Sequence, residues 1–231
     1  MLSSINKEQG KKYTFIPRGN WVNSTVLVEQ TFSNDIYTKH DAKITDLAGE
    51  LIVCSDITKI DGFCKKIVPE TYEEYLELIS KRDFKKEQWV YNILNGMAEQ
   101  DKVLYRDEFI VIAPNYTWNT TDLSKLHLLT FPTDITLHSI RDLTDKHIWL
   151  LEHIKLKTLL EIKSTYGFDS DIIKMFLHYA PSTYHLHVHF TLISNTEVCS
   201  SVEYSHELNN TIEILKIKPD FYQTILLNKR I

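Results

Sequence analysis

Hydrophobic and polar positions divide the chain into two textures. From Lys12 to about Val68, β-branched and aromatic residues alternate with polar ones in short runs such as Val22–Thr31 and Leu51–Cys54, broken by Gly19, Gly49 and Gly62. That pattern predicts a small antiparallel β unit. Pro69 opens the second texture. Within Glu70–Lys81, Tyr72, Tyr75, Leu76 and Ile79 recur at helical spacing, with acids first and basic residues last, which predicts a helix. Glu87–Leu94 predicts another, with Gly96 as its C-terminal breaker. The break in texture places a domain boundary between these helices, giving an N-terminal part over 1–82 and a C-terminal part over 83–231.

The C-terminal part is more regular. Val103–Tyr105 and Phe109–Ala113 read as two strands of a hairpin around Arg106-Asp107-Glu108. Thr144 stands where an N-cap belongs, before a long helix over Asp145–Tyr166 with Ile148, Leu151, Ile154 and Leu159 on one stripe and Gly167 as its stop. Ile172–Tyr179 and Tyr184–Ile193 alternate with period two around a turn at Pro181. A helix over about Val202–Leu215 and a strand near Tyr222–Leu227 complete an α+β pattern.

Composition narrows the classes. At 231 residues, with 43% apolar and 25% charged positions, the chain is long enough for one or two domains with a real core. A net charge of -5 argues against a face that tracks long nucleic acid by neutralising many phosphates, and leaves a short nucleotide ligand open. No apolar run approaches a membrane span and the N-terminus lacks a basic-then-apolar signal, so no membrane association is expected and the setting is intracellular. Cys54, Cys64 and Cys199 are widely spaced, which suits three reduced thiols rather than disulfides or a thiolate metal site.

The chemistry concentrates in one segment. His185, His187 and His189 fall at i, i+2 and i+4 of the predicted strand, so their imidazoles share one sheet face while Leu186, Val188 and Phe190 take the other. One buried histidine is commonplace, but three on one strand face are costly to bury without a task. Two tasks remain open at this level: a zinc site with a vacant water position, and nucleophilic attack on phosphorus by a neutral ring nitrogen.

The surrounding residues, Phe176-Leu177-His178-Tyr179-Ala180-Pro181-Ser182 and then Tyr184-His185-Leu186-His187-Val188-His189-Phe190, resemble the histidine-triad nucleotide hydrolases. Further segments are similar to one branch, the scavenger mRNA decapping enzymes: Phe32-Ser33-Asn34-Asp35-Ile36-Tyr37, Gln88-Trp89-Val90-Tyr91-Asn92-Ile93-Leu94 and Ser139-Ile140-Arg141-Asp142-Leu143-Thr144. The resemblance implies metal-independent, cofactor-free hydrolysis of a 7-methylguanosine-capped dinucleotide or short capped RNA. His187 would be the nucleophile, with His185 and His189 holding its tautomer or contacting phosphate and His178 beside the leaving group.

For the cap, the resemblance assigns stacking of the cationic base to Trp89 and its N1 and N2 edge to Glu99. Asn34, Asp35 and Tyr37 would cover the bound cap, Pro114 and Tyr116 would pack near the base, and Ser182 would touch phosphate. Singly, Trp89 reads as a core aromatic and Glu99 as a solvated charge. The implied fold is a C-terminal histidine-triad α+β domain with a smaller β-rich N-terminal domain exchanged between the protomers of a homodimer. The implied location is the cytoplasm, with the nucleus as a second.

The sequence also departs from the family. Asn115, Tyr116 and Thr117 replace an Asp-apolar-Lys run, Tyr204 stands at the position of an arginine, and Thr183 and His127 replace tyrosines. The helix after Pro69 is acidic where the family carries a lysine. Each lost charge-assisted phosphate contact is worth roughly 1.5 to 3 kcal/mol. Lys39, Lys85, Lys86, Lys102 and Lys125 are the candidate replacements. A catalytically weak cap-binding paralogue and a dinucleoside polyphosphate hydrolase are therefore the alternatives to a cap hydrolase.

Overall fold

The computed structural model describes residues 26–33, 37–44, 47–54, 67–196, 198 and 200–230, and the chain divides into two compact units, Met1–Lys66 and Ile67–Ile231. In the first unit, β1 (Val26–Ser33), β2 (Tyr37–Ile44) and β3 (Leu47–Cys54) form an antiparallel sheet in that order. The register sets Val26 opposite Ile44 and Tyr37 opposite Cys54, with a bulge between Gln30 and Phe32. Gly49 does not break a strand as expected. It lies within β3 opposite Ala42.

The second unit is an antiparallel sheet of six strands with helices around it. Its strands are β5 (Tyr105–Arg106), β6 (Ile110–Pro114), β7 (His127–Pro132), β8 (Ile173–His178), β9 (Val188–Leu192) and β10 (Ser205–Glu207), in the order β10-β8-β9-β7-β6-β5. The whole chain is thus α+β, as its pattern predicts. Leu128, Val188 and Phe190 face a core that contains Leu151, Ile154 and Ile162 of α3 (Ile148–Tyr166). Alternation sends Leu129 and Phe131 to the opposite face, where they meet Val90 of α2 (Gln88–Leu94).

Local signals set the helix ends. Thr71 and Glu74 form a reciprocal capping box ahead of α1 (Tyr72–Lys81). That helix starts later than Glu70, which belongs with Pro69 to β4 (Ile67–Glu70). Thr144 is the N-cap, as expected, of a tight 3-10 turn over Asp145–His147 that leads into α3, and its backbone N–H donates to His147 Nδ1 at 3.0 Å. Gly167 ends α3 at φ 78°, a left-handed conformation that glycine adopts freely.

Other expectations are corrected by long-range pairing. The helix expected from Val202 begins only at α4 (Leu208–Ile217), because Ser205–Glu207 pairs with the edge of β8. The strand expected over Tyr222–Leu227 is instead α5 (Phe221–Thr224) followed by β11 (Leu227–Arg230), which pairs with β4. Residues 67–82, grouped by composition with the N-terminal part, pack in the second unit: β4 pairs β11, and the Tyr75 hydroxyl donates to Asp142 at 2.7 Å.

Arg141 ties these parts together. Fully buried, it donates to the carbonyls of Tyr222 at 2.9 Å, Ile225 at 2.8 Å and Glu70, and to the Tyr179 hydroxyl at 3.2 Å. Tyr179 in turn donates to the Glu70 carboxylate, whose other oxygen meets Lys229 at 2.5 Å. Among the described residues no helix is long and apolar enough to cross a membrane.

Candidate active site

The sheet face turned away from α3 gathers imidazoles. His127, Leu129 and Phe131 alternate along β7, Phe176 and His178 along β8, and His189 lies on β9 opposite Leu129. The triad strand is shorter than expected, since the ladder of β9 begins at Val188. His185 and His187 precede it, fixed by other bonds: the Leu186 N–H reaches the Leu137 carbonyl at 2.8 Å, and His185 Nε2 the Pro132 carbonyl at 2.9 Å. Leu186, Val188 and Phe190 are all in the α3 core, as the alternation predicts.

All three triad histidines are buried. His187 Nδ1 sits 2.7 Å from the His185 carbonyl oxygen. A carbonyl only accepts, so Nδ1 carries the proton and the lone pair of a neutral His187 is on Nε2. Burial lowers the pKa of His187, with the His185 carbonyl working in the opposite direction. Burial likewise holds His185 at about 4, and puts His189 well below the ordinary histidine value, reinforced by His187, His178 and His127. The cluster is therefore neutral at physiological pH, the state in which an imidazole is a nucleophile.

Ring packing sets the orientations. Phe176 stacks on His189 with centroids 5.1 Å apart and planes 3° apart, and His178 lies 4.3 Å from His189. His178 stacks in turn on Tyr204 at 3.9 Å, and the Arg230 guanidinium lies 4.3 Å from the Tyr204 centroid. A narrow crevice is lined by His138, His178, His185 and His187. Among the described residues no three His, Cys, Asp or Glu side chains are grouped so as to hold a metal ion. Of the triad nitrogens, His185 Nε2 and His187 Nδ1 face backbone carbonyls and His189 Nδ1 faces His127 Nε2.

The residues that the resemblance assigns to the cap occupy several different elements. Trp89 opens α2, is 39% exposed, and meets Phe131 edge-on at 6.1 Å; Phe131 is itself 5.9 Å from His187. One aromatic ring therefore separates the exposed indole from His187. Glu99 lies in the turn after α2 with φ 53°, a left-handed conformation uncommon outside glycine, and its carboxylate is 3.6 Å from Lys102. Pro114 ends β6, Tyr116 is 84% exposed, and Ser182 is exposed just before the triad. Asn34 and Asp35 lie outside the described residues, and Tyr37 begins β2.

Sequence reading underrated several neighbours. His127, which by sequence is only a tyrosine replacement, brings its Nε2 to 2.9 Å from His189 Nδ1. Lys174 shares the face of Phe176 and His178, donates to the Asn195 carbonyl at 3.1 Å, and its charge helps depress the pKa of His127. Alternation along the predicted strand could have flagged it. Glu87, buried, binds Arg82 at 2.5 Å and accepts from the Tyr184 N–H at 3.2 Å, anchoring the segment that enters the triad. Of the proposed replacement cations, Lys85 lies 3.9 Å from Asp83 and Lys102 beside Glu99.

A six-stranded antiparallel sheet backed by a long helix, with His189 on its other face and His185 and His187 alternating just ahead of that strand, is the arrangement expected of the histidine-triad superfamily. Residues 88–204 match the family model for the scavenger mRNA decapping enzyme C-terminal binding region. The chain is 36% identical over 205 residues to an m7GpppX diphosphatase of Ascaris suum, covering 82% of this chain and 68% of that protein. It is 37% identical over 179 residues to that of Schizosaccharomyces pombe (73% and 59%) and 31% over 207 residues to that of Homo sapiens (83% and 61%). The chain thus belongs to the scavenger mRNA decapping enzyme family, and spans about six to seven tenths of the length of these relatives.

Proposed function

We propose that this protein is a hydrolase of the 7-methylguanosine cap, acting on the capped dinucleotide or on short capped RNA. His187 Nε2 attacks the phosphorus next to methylguanosine, and the bond to the bridging oxygen breaks. A nucleoside diphosphate leaves, and the nucleotide stays on His187. Water then cleaves the phosphorus–nitrogen bond and releases 7-methylguanosine monophosphate. The single observation that carries this reading is the His187 Nδ1 contact with the His185 carbonyl at 2.7 Å, which leaves Nε2 as the nucleophilic nitrogen of a neutral ring. His178, beside His189, donates a hydrogen bond to the leaving oxygen of the nucleoside diphosphate, which departs as an anion.

Trp89 stacks the methylated base and Glu99 accepts from its edge. Pro114 and Tyr116 pack near the base, Ser182 contacts phosphate, and Asn34, Asp35 and Tyr37 cover the cap. A homodimer with exchanged N-terminal domains, in the cytoplasm and the nucleus, completes the reading, and the chemistry needs no metal or cofactor. One observation favours a slower, cap-binding paralogue. Asn115 spends its side-chain oxygen on the Thr117 N–H and hydroxyl at 2.9 and 2.8 Å, closing a turn where the family has an acid and a lysine.

Chromatographic product analysis separates these readings. The substrates are the methylated capped dinucleotide and its unmethylated twin, with a chelator control and His187→Asn. Expected is 7-methylguanosine monophosphate from the methylated substrate alone, unaffected by chelator and absent with His187→Asn. Thermal protection by an intact cap would support the paralogue. Equal cleavage of both substrates would support a dinucleoside polyphosphate hydrolase.

A further inference from the structure

We infer that His127 is a positioning residue for the triad: its Nε2–H donates to His189 Nδ1 and thereby fixes the His189 proton on Nε2, facing the phosphate. This inference rests on the reading of the site as a phosphorus-cleaving one.

The pairing is a product of strand register. His127 on β7 stands opposite Thr191, and His189 on β9 opposite Leu129, so the two imidazoles are diagonal neighbours on one face. Long side chains reach each other at that spacing, and here the ring nitrogens close to 2.9 Å. A hydrogen bond between two neutral imidazoles holds one proton, so the tautomers are locked together. If His127 donates, His189 is protonated on Nε2. If His189 donates, its Nε2 is bare.

The other end of His189 decides between these. His189 Nε2 is buried with no hydrogen-bond partner. A buried polar atom left unpaired is costly, so a partner is expected to arrive with the ligand. His187, whose ring lies 5.0 Å from that of His189, is where phosphorus is attacked. The ionised non-bridging oxygens of the cap's triphosphate only accept, so His189 Nε2 must carry hydrogen to meet them. His127 as donor satisfies both ends; the reverse arrangement leaves a lone pair facing an anion.

The surroundings keep the pair uncharged. The groups that face it are His187 just ahead of β9 and His178 and Lys174 on β8, each cationic when charged. Burial acts in the same direction. The stacked Phe176 ring then holds the plane of His189, leaving its nitrogens aligned with His127 at one end and the phosphate site at the other.

The test begins with wild-type protein labelled with 15N in its histidines, read by NMR without ligand. The expected result is a protonated Nε2 and an unprotonated Nδ1 on His189, assigned with a His189→Gln variant. Steady-state kinetics on the methylated capped dinucleotide follow with His127→Phe, His127→Gln and His127→Tyr. Losing the donor in His127→Phe should lower kcat about tenfold, with KM little changed because the donor matters most as charge builds on phosphate. Gln and Tyr each retain a donor and should recover most of that loss. A His189 protonated on Nδ1, full kcat in His127→Phe, or an equal loss in all three folded variants would overturn the inference. A wild-type protein that leaves the cap intact would instead overturn the proposed function, and the tautomer measurement alone would then decide the role of His127.

Discussion

Lowering the pH from 8 to 5 perturbs the buried histidines of this protein before most carboxylates titrate. In the unfolded chain a histidine takes up a proton near pH 6.5, whereas His127 and His185 are both held at about 4 in the folded protein, chiefly by burial. Above pH 7 both states are neutral and these residues contribute no pH dependence. As pH falls through 6.5 the unfolded chain binds protons that the folded protein refuses, so stability is lost on acidification until about pH 4, where the folded protein accepts them too. At pH 5 the loss is about 2 kcal/mol for each of the two residues by linkage. His187 and His189 are shifted in the same direction and add to the slope. Urea unfolding at fixed ionic strength between pH 8 and pH 5 measures it, and His185→Gln should shrink the loss by about one residue's share. A midpoint that stays flat, or rises, below pH 6.5 would refute the assignment of these imidazoles as buried and neutral.

Other perturbations probe separate parts of the structure. Arg141→Met removes the donor shared by the Tyr222, Ile225 and Glu70 carbonyls, and should cost about 3 to 5 kcal/mol in chemical denaturation, a loss expected for a broken buried charged network. Trp89→Ala should raise KM for the methylated cap about tenfold while leaving the unfolding midpoint nearly unchanged, because a half-exposed indole contributes cation–π binding more than core packing. Gly167→Ala meets no atom within 4 Å of the added carbon, so its cost should be only the left-handed strain, about 1 to 2 kcal/mol in thermal or urea unfolding.

Much of this protein was determined locally, by spacing. The alternation of residues 185–190 sorted histidines from core residues without knowledge of any neighbour, because side-chain direction in extended chain follows parity. The stripe and glycine stop of α3 were equally legible, since a helix is built from contacts a turn apart. The central strand β7 was not: all six of its residues are buried, so burial on both faces erased the period by which a half-exposed strand is recognised. Tertiary pairing also decided which short segments became strands. Ser205–Glu207 is extended because β8 offers an open edge, and Leu227–Arg230 because β4 does. The meeting of His127 with His189 belongs to the same category. Sixty-two positions separate them, and only the register of β7 on β9 brings the ring nitrogen of His127 to 2.9 Å from the triad.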